Sequence, residues 1–449
     1  MKLLATIFGV ALLALAAAAQ PVLTSLWQFN GTNGANPLGR LVLGKDGALY
    51  GTTQNGGANG SGTVFRISPG GTFTNLAALN GTNGSSPDAG LVQATNGLLY
   101  GTANSGGANG FGSAFQVTTN GVLTLLASFG GTNGTYPQAD WALGQDGALY
   151  TTTSHSAAGN GYGTISKLTT GGSLFTLTSF TNGNGAFPSS LLARGNDGAF
   201  YGVTPYGGRT NLNGGSGYGT IFKVTTNGGL TPLFYFSGTN GNYPAGGLTL
   251  GNDGSFYGST EFGGSNNLGT VFKITTNGVL TSLISFTGGT NGEYPNGTLL
   301  LGNDGTFYGT TFAGGTGDGS GTVYKVTTNG VLTYLASFAD TNGSYPQTGL
   351  TLGGDGNIYG TTGYGGTFDA GTVFKLTLPA ALVLRNYSVS NRLLLATVTG
   401  PAAATVQIQY STNLPPAWFV LTNLAFTTGT NQFTDAATNS HRCYRAVSP

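Results

Sequence analysis

Apolar positions come in short bursts along this chain, and the polar stretches between them carry turn residues. From Gly247 to Phe286 the sequence reads GLTLGNDGSFYGSTEFGGSNNLGTVFKITTNGVLTSLISF. Four apolar runs, Leu248 to Gly251, Ser255 to Thr260, Val271 to Thr275 and Leu280 to Phe286, are predicted as short antiparallel strands. Asp253-Gly254 and Asn277-Gly278 read as two-residue hairpins, because such pairs supply the positive φ angles that tight turns require. Glu261 to Leu268 is a longer loop, and a second loop with a proline, GGTNGEYP, leads to the next unit. The phrase returns seven times, marked by Tyr50, Tyr100, Tyr150, Tyr201, Tyr257, Tyr308 and Tyr359. A period of about fifty residues signals a stacked array, in which one unit cannot bury its own apolar face.

Four strands per repeat make one propeller blade. A β-solenoid is the alternative, but it has no use for paired hairpins, and the ends of the array decide against it. Val22 to Phe29 (VLTSLWQF) is a fourth strand without its first three, and the last repeat, Gly349 to Leu376, has three strands and no fourth. The orphan strand is expected to complete the last blade. The fold class is therefore all-β: a seven-bladed β-propeller over residues 22–378, closed by its N-terminal strand. The tight hairpins fall on one face; the second-to-third loops and the inter-blade loops fall on the other.

Composition narrows the setting. Only 6% of the 449 residues are charged and the net charge is +1, so no basic footprint for nucleic acid exists. Residues 1–19 read as a signal peptide: Lys2, an apolar run from Leu3 to Leu15, and Ala17 to Ala19 before Gln20. Cleavage after Ala19 and export, to a secreted or cell-surface location, are expected. Cys443 is the only cysteine, so no internal disulfide is available to this exported chain. Residues 381–449 leave the repeat and show new strand-like runs, predicted as a small C-terminal β-sandwich. His441 and Cys443 alone cannot fill a tetrahedral metal shell.

DGxxYGTTxxGG, then GTVFK, then an Asn-Gly hairpin and a strand ending in SF, resembles the Gloeo/Verruco (GloVer) tandem repeat of secreted bacterial proteins. The likeness covers about four-fifths of the chain. It implies an extracellular or surface β-propeller-like array, with no established activity and no catalytic residues to carry over.

Candidate chemistry lies on the looped face. Six aspartates sit in the hairpins; no D-x-D-x-D-G spacing supports calcium, so turn chemistry accounts for them. Tyr136, Phe187, Tyr243, Tyr294 and Tyr345 each precede a proline, and Tyr206, Phe262, Phe312 and Tyr364 stand in the second-to-third loops. Rings suit sugar faces, while recurrence in register suits wedges between blades. The third repeat replaces YGTTxxGG by Tyr150-Thr-Thr-Thr-Ser-His-Ser, introducing His155, and places Asp140 and Trp141 where others read Gly-Leu. Arg40 and Asp88 occupy nearby strand starts, and the longer fourth-repeat loop adds Arg209. The chain thus reads as an exported binding or scaffold propeller for a polysaccharide or a cell-surface protein, without a cofactor or metal. The alternative is a carbohydrate-active lyase or hydrolase in which Asp140 orients His155 as a base.

Overall fold

The computed structural model describes residues 20–379, apart from 157–160, 170 and 210, and the backbone of six strands between 383 and 447. The expected signal peptide lies outside the described residues. Residues 23–376 form one unit. It holds seven four-stranded antiparallel sheets, and these are the seven blades: blade 1 spans 42–78, blade 2 92–128, blade 3 142–179, blade 4 193–235, blade 5 249–285 and blade 6 300–337. Blade 7 takes three strands from 351–377 and its outer strand from Val22–Gln28, paired with Thr372–Thr377. The ring closes as the offset of the repeats predicts. Among the described residues no helix is long and apolar enough to cross a membrane.

Blade 5 shows the local logic. Its strands are Thr249–Leu250, Phe256–Thr260, Thr270–Ile274 and Leu280–Ser285. The second and third are almost wholly buried, since both of their faces meet a neighbouring blade. Tyr257 stacks on Phe307 of blade 6 at 4.1 Å between centroids, and the same contact recurs as Tyr150–Phe200 and Tyr201–Phe256. At these three seams one tyrosine ring of a blade rests on a phenylalanine of the next.

The hairpins differ from the two-residue turns expected. The Gly251 N–H donates to Ser255 O and the Gly254 N–H to Gly251 O, which encloses three loop residues. Only Gly254 has positive φ, +75°. This is a type I turn followed by a left-handed glycine, so the aspartate keeps an ordinary backbone and its side chain is free for other work. Asp253 Oδ1 accepts the Ser255 N–H at 3.1 Å, and Oδ2 accepts the Tyr257 hydroxyl at 2.9 Å and pairs with Lys273 Nζ at 2.7 Å. Equivalent carboxylate–cation pairs occupy blades 1, 3, 4 and 7. In blade 4 burial pushes the Asp197 carboxyl up, but Lys223, the Tyr201 hydroxyl and the Ala199 N–H together hold it below the usual carboxylate range.

Blade 2 departs most from the pattern, more than the third repeat on which the sequence drew attention. It has Asn96 for the aspartate, Gln116 for the cation, and Ala103 and Ser113 where the six other blades pair two buried threonines.

The C-terminal strands form two three-stranded antiparallel sheets, one of Val383–Ser390, Leu393–Thr399 and Thr430–Ala436, the other of Phe419–Ala425, Thr405–Ser411 and Cys443–Val447. The packing of their side chains into a sandwich, and His441, lie outside the described residues.

Candidate functional site

The looped face is built where each inter-blade segment turns into a first strand. In every blade the residue before the proline has positive φ: Asn36, Ser86, Tyr136, Phe187, Tyr243, Tyr294 and Tyr345, between 53° and 60°. A non-glycine residue there costs of order 1–3 kcal/mol and survives only where its surroundings over-determine it. The surroundings are visible. Each of these N–H groups donates across the seam to a carbonyl of the preceding blade, at 2.8–3.2 Å, as Tyr243 does to Tyr218 and Ser86 to Ser61. The following proline seats on a left-handed glycine of that same blade, Pro87 on Gly62 and Pro244 on Gly219 for example. The wedge between blades is thus the proline with its backbone latch. The aromatic side chains are not needed for it, since Asn36 and Ser86 hold the same conformation.

Those side chains instead form a belt. Phe111, Tyr136, His155, Phe187, Tyr206, Tyr243, Phe262 and Tyr294 touch in succession, with neighbouring centroids 5.1–6.0 Å apart and mostly edge-to-face. After a break at Ala313, Phe312, Tyr345 and Tyr364 continue it. Phe111, Tyr136, Tyr345 and Tyr364 are 36–44% exposed. His155 bridges to Thr135 as Tyr206 bridges to Ala186 and Tyr364 to Ser344, so the histidine fills a belt position. Phe111 escaped the sequence reading because it stands late in its loop, out of step with the other rings; pairing loops with the following X-Pro residue would have found it. Burial raises the Glu261 carboxyl, next to Phe262 in the chain, and burial, then the charge of Tyr206 and Glu261, pushes the phenol of the belt residue Tyr243 up to about 12.

The centre of the face is small. Residues from all seven blades, among them Arg40, Asp88 and Asp140, line a cavity of about 100 Å³. That is below the roughly 300–1,000 Å³ of small-molecule sites. Asp140 Oδ2 pairs with Arg40 Nε at 3.5 Å, and Oδ1 accepts the Gly90 N–H at 2.6 Å. Arg40 comes from blade 1, Gly90 from blade 2 and Asp140 from blade 3, so this charge pair braces three blades.

The expected Asp140–His155 pairing does not form. The carboxylate is committed to Arg40 and Gly90, while His155 Nδ1 meets Ser154 Oγ at 3.0 Å and its ring lies against Tyr136 and Phe187. Trp141 does not reach a ligand surface: it is 2% exposed and packs in the core with Phe129 and Leu149. Phe262 joins Tyr206 in the main belt, and Phe312 and Tyr364 join its continuation; Arg209 is exposed in the extended loop.

Asp88 is the strained acid of the centre. Burial lifts its carboxyl to about 6 against hydrogen bonding from Gln54 and Asn104, and among the described residues its Oδ1 has no partner. A folded-state pKa above the unfolded one means that the native state binds the extra proton. Stability from this group therefore falls as pH rises from about 4 through 6 and stays low above it. Replacing Asp88 by Asn is expected to raise stability at pH 8, by of order 2–3 kcal/mol, and to flatten its dependence between pH 6 and 4. Urea unfolding of both proteins at pH 4.5 and 8 checks this; an equal loss at both pH values would contradict it.

A model of the Gloeobacter/Verrucomicrobia repeat matches residues 8–161, 91–215 and 208–409. The chain belongs to the Gloeobacter/Verrucomicrobia repeat family. None of the curated proteins matches this repeat protein in sequence. Several solved structures resemble it in fold. PorZ, a bacterial surface component of the type-IX secretion system of Porphyromonas gingivalis, is 12% identical with a TM-score of 0.50, over 94% of this chain and 60% of that one. A gluconolactonase from Xanthomonas campestris is 12% identical with a TM-score of 0.43, over 84% and 99%. An ulvan lyase, solved with bound saccharide, is 10% identical with a TM-score of 0.49, over 78% and 95%.

Proposed function

We propose that this repeat protein is an exported polysaccharide-binding propeller, and that a polymer lies along the aromatic belt of its looped face. The belt carries the reading. Five aromatic residues hold a costly backbone conformation whose latch works equally well with Asn36 or Ser86. Their rings are therefore supernumerary to folding, and they are presented in a row. Ring faces and edges stack on the C–H faces of sugars while tyrosine hydroxyls reach sugar hydroxyls. The paired belt positions of blades 1 and 2 are Asn36 and Asn55, Ser86 and Ser105, so the track starts at Phe111 in the loop of blade 2 and runs over blades 3 to 7. Asp140 is occupied by its brace, which disfavours it as the agent that orients a base.

Retention of the purified full chain on a panel of immobilised plant, algal and bacterial polysaccharides tests this, with a product assay on each. At least one polymer should be retained without cleavage. The double substitution Tyr243→Ala and Phe262→Ala should weaken that retention at least about tenfold, the equivalent of 1.4 kcal/mol, and His155→Ala should weaken it less. Retention on none of them would turn the reading towards a surface-protein partner, and release of oligosaccharides would turn it towards the lyase or hydrolase.

A further inference from the structure

We infer that the opposite face carries a second binding site, a cleft between blades 2 and 3 shaped for an uncharged saccharide ring. The cleft holds about 400 Å³, within the range of small-ligand sites. Its lining is uncharged because blade 2 lost its charges. In blade 5, Tyr257 pairs across the sheet with Lys273, which reaches Asp253. In blade 2, Tyr100 pairs with Gln116, and Asn96 replaces the aspartate. The other six repeat tyrosines are 0–3% exposed, whereas Tyr100 is half-buried and lines the opening.

The lining has a definite chemistry. It contains no charged side chain. Leu126, Leu143 and Leu168 supply an apolar wall, and the Asn96 Nδ2 amide holds the Tyr100 hydroxyl at 2.9 Å. The side-chain amides of Gln116 and Gln145 border the same space, and among the described residues neither has a hydrogen-bond partner. A charged ligand would leave water without finding a counter-charge, and a purely apolar one would bury those amides unpaired. A sugar ring offers what both walls want, a C–H face and several hydroxyls. The next cleft round the ring, between blades 3 and 4, makes the contrast: it is lined by Asp146, Asp197 and Lys223.

Saturation-transfer NMR of the full chain against methyl glycosides of glucose, galactose, mannose, xylose and rhamnose, with glucuronic acid as the charged comparator, tests the site. At least one neutral glycoside should show transfer well above glucuronic acid. The double substitution Asn96→Asp and Gln116→Lys restores the repeat's own ion pair, so it should fold at least as stably and lose transfer at least tenfold. Both measurements are repeated in the Tyr243→Ala/Phe262→Ala background, where the belt is weakened, so that the transfer lost on N96D/Q116K is the cleft's and the result stays separate from the fate of the belt. Absence of transfer from every neutral glycoside, transfer that survives N96D/Q116K, or equal transfer from glucuronic acid would each overturn the assignment.

Discussion

A chain that begins at Asn30 will not form the native ring. It lacks Val22–Gln28, the outer strand of blade 7, and leaves Thr372–Thr377 as an unpaired edge. The missing strand also holds the seam to blade 1, where Trp27 stacks on Phe73 at 4.3 Å with planes 2° apart. Beyond it, the Phe29 N–H donates to Gly371 O, and the Phe29 ring is 1% exposed against Phe65 and Phe73. An exposed edge invites pairing with another chain, so size-exclusion chromatography should show aggregates in place of monomer. A synthetic peptide of residues 20–29 should restore part of the monomer by adding the strand in trans. The milder variant Phe29→Ala keeps the strand and should lower stability by about 3–5 kcal/mol. If the truncated chain stays monomeric and unfolds at the same urea concentration as the full one, closure is not what holds the ring.

Gly246→Ala should be nearly as damaging, although it adds one methyl group. A Cβ there would stand 2.6 Å from the Gly297 carbonyl oxygen and 2.9 Å from its carbon, both backbone atoms of the next blade. Backbone cannot rotate away as a side chain can, so two blades must separate at the hub. A cost of about 3 kcal/mol or more is expected, at the upper end of overpacking. Gly254→Ala is the informative comparison. That glycine has φ +75° and nothing within 4 Å of a Cβ, so only conformational strain is added, about 1–2 kcal/mol. Urea midpoints of the two variants rank them; a larger loss for Gly254→Ala would mean that blade spacing at the hub is soft.

Much of this architecture was legible because the chain states it seven times. Tyrosine spacing gave the blade, and the orphan VLTSLWQF gave the closure. The partnership of Asp253, Tyr257 and Lys273 was harder to see, because the three residues recur together but meet only once strand pairing is known. For the same reason blade 2 hid its departure: Asp to Asn and Lys to Gln are small changes twenty residues apart, whereas His155 stands out at once. The belt was half legible. Rings before prolines were countable, yet an X-Pro dipeptide reads as extended chain, so the left-handed backbone that displays them could not be inferred. Arg40 and Asp140 could be placed near the centre but not joined, since their meeting depends on the glycine between them at Gly90 narrowing the hub.

The seam latch has an implication for how such proteins diversify. Because it uses only a main-chain N–H, a proline ring and a facing glycine, the letter before each proline can be rewritten without renegotiating the join. Seven such positions, each independent of folding, amount to a row of interchangeable sockets. Specificity could then be retuned one blade at a time, as Asn36 and Ser86 already illustrate beside five aromatic neighbours.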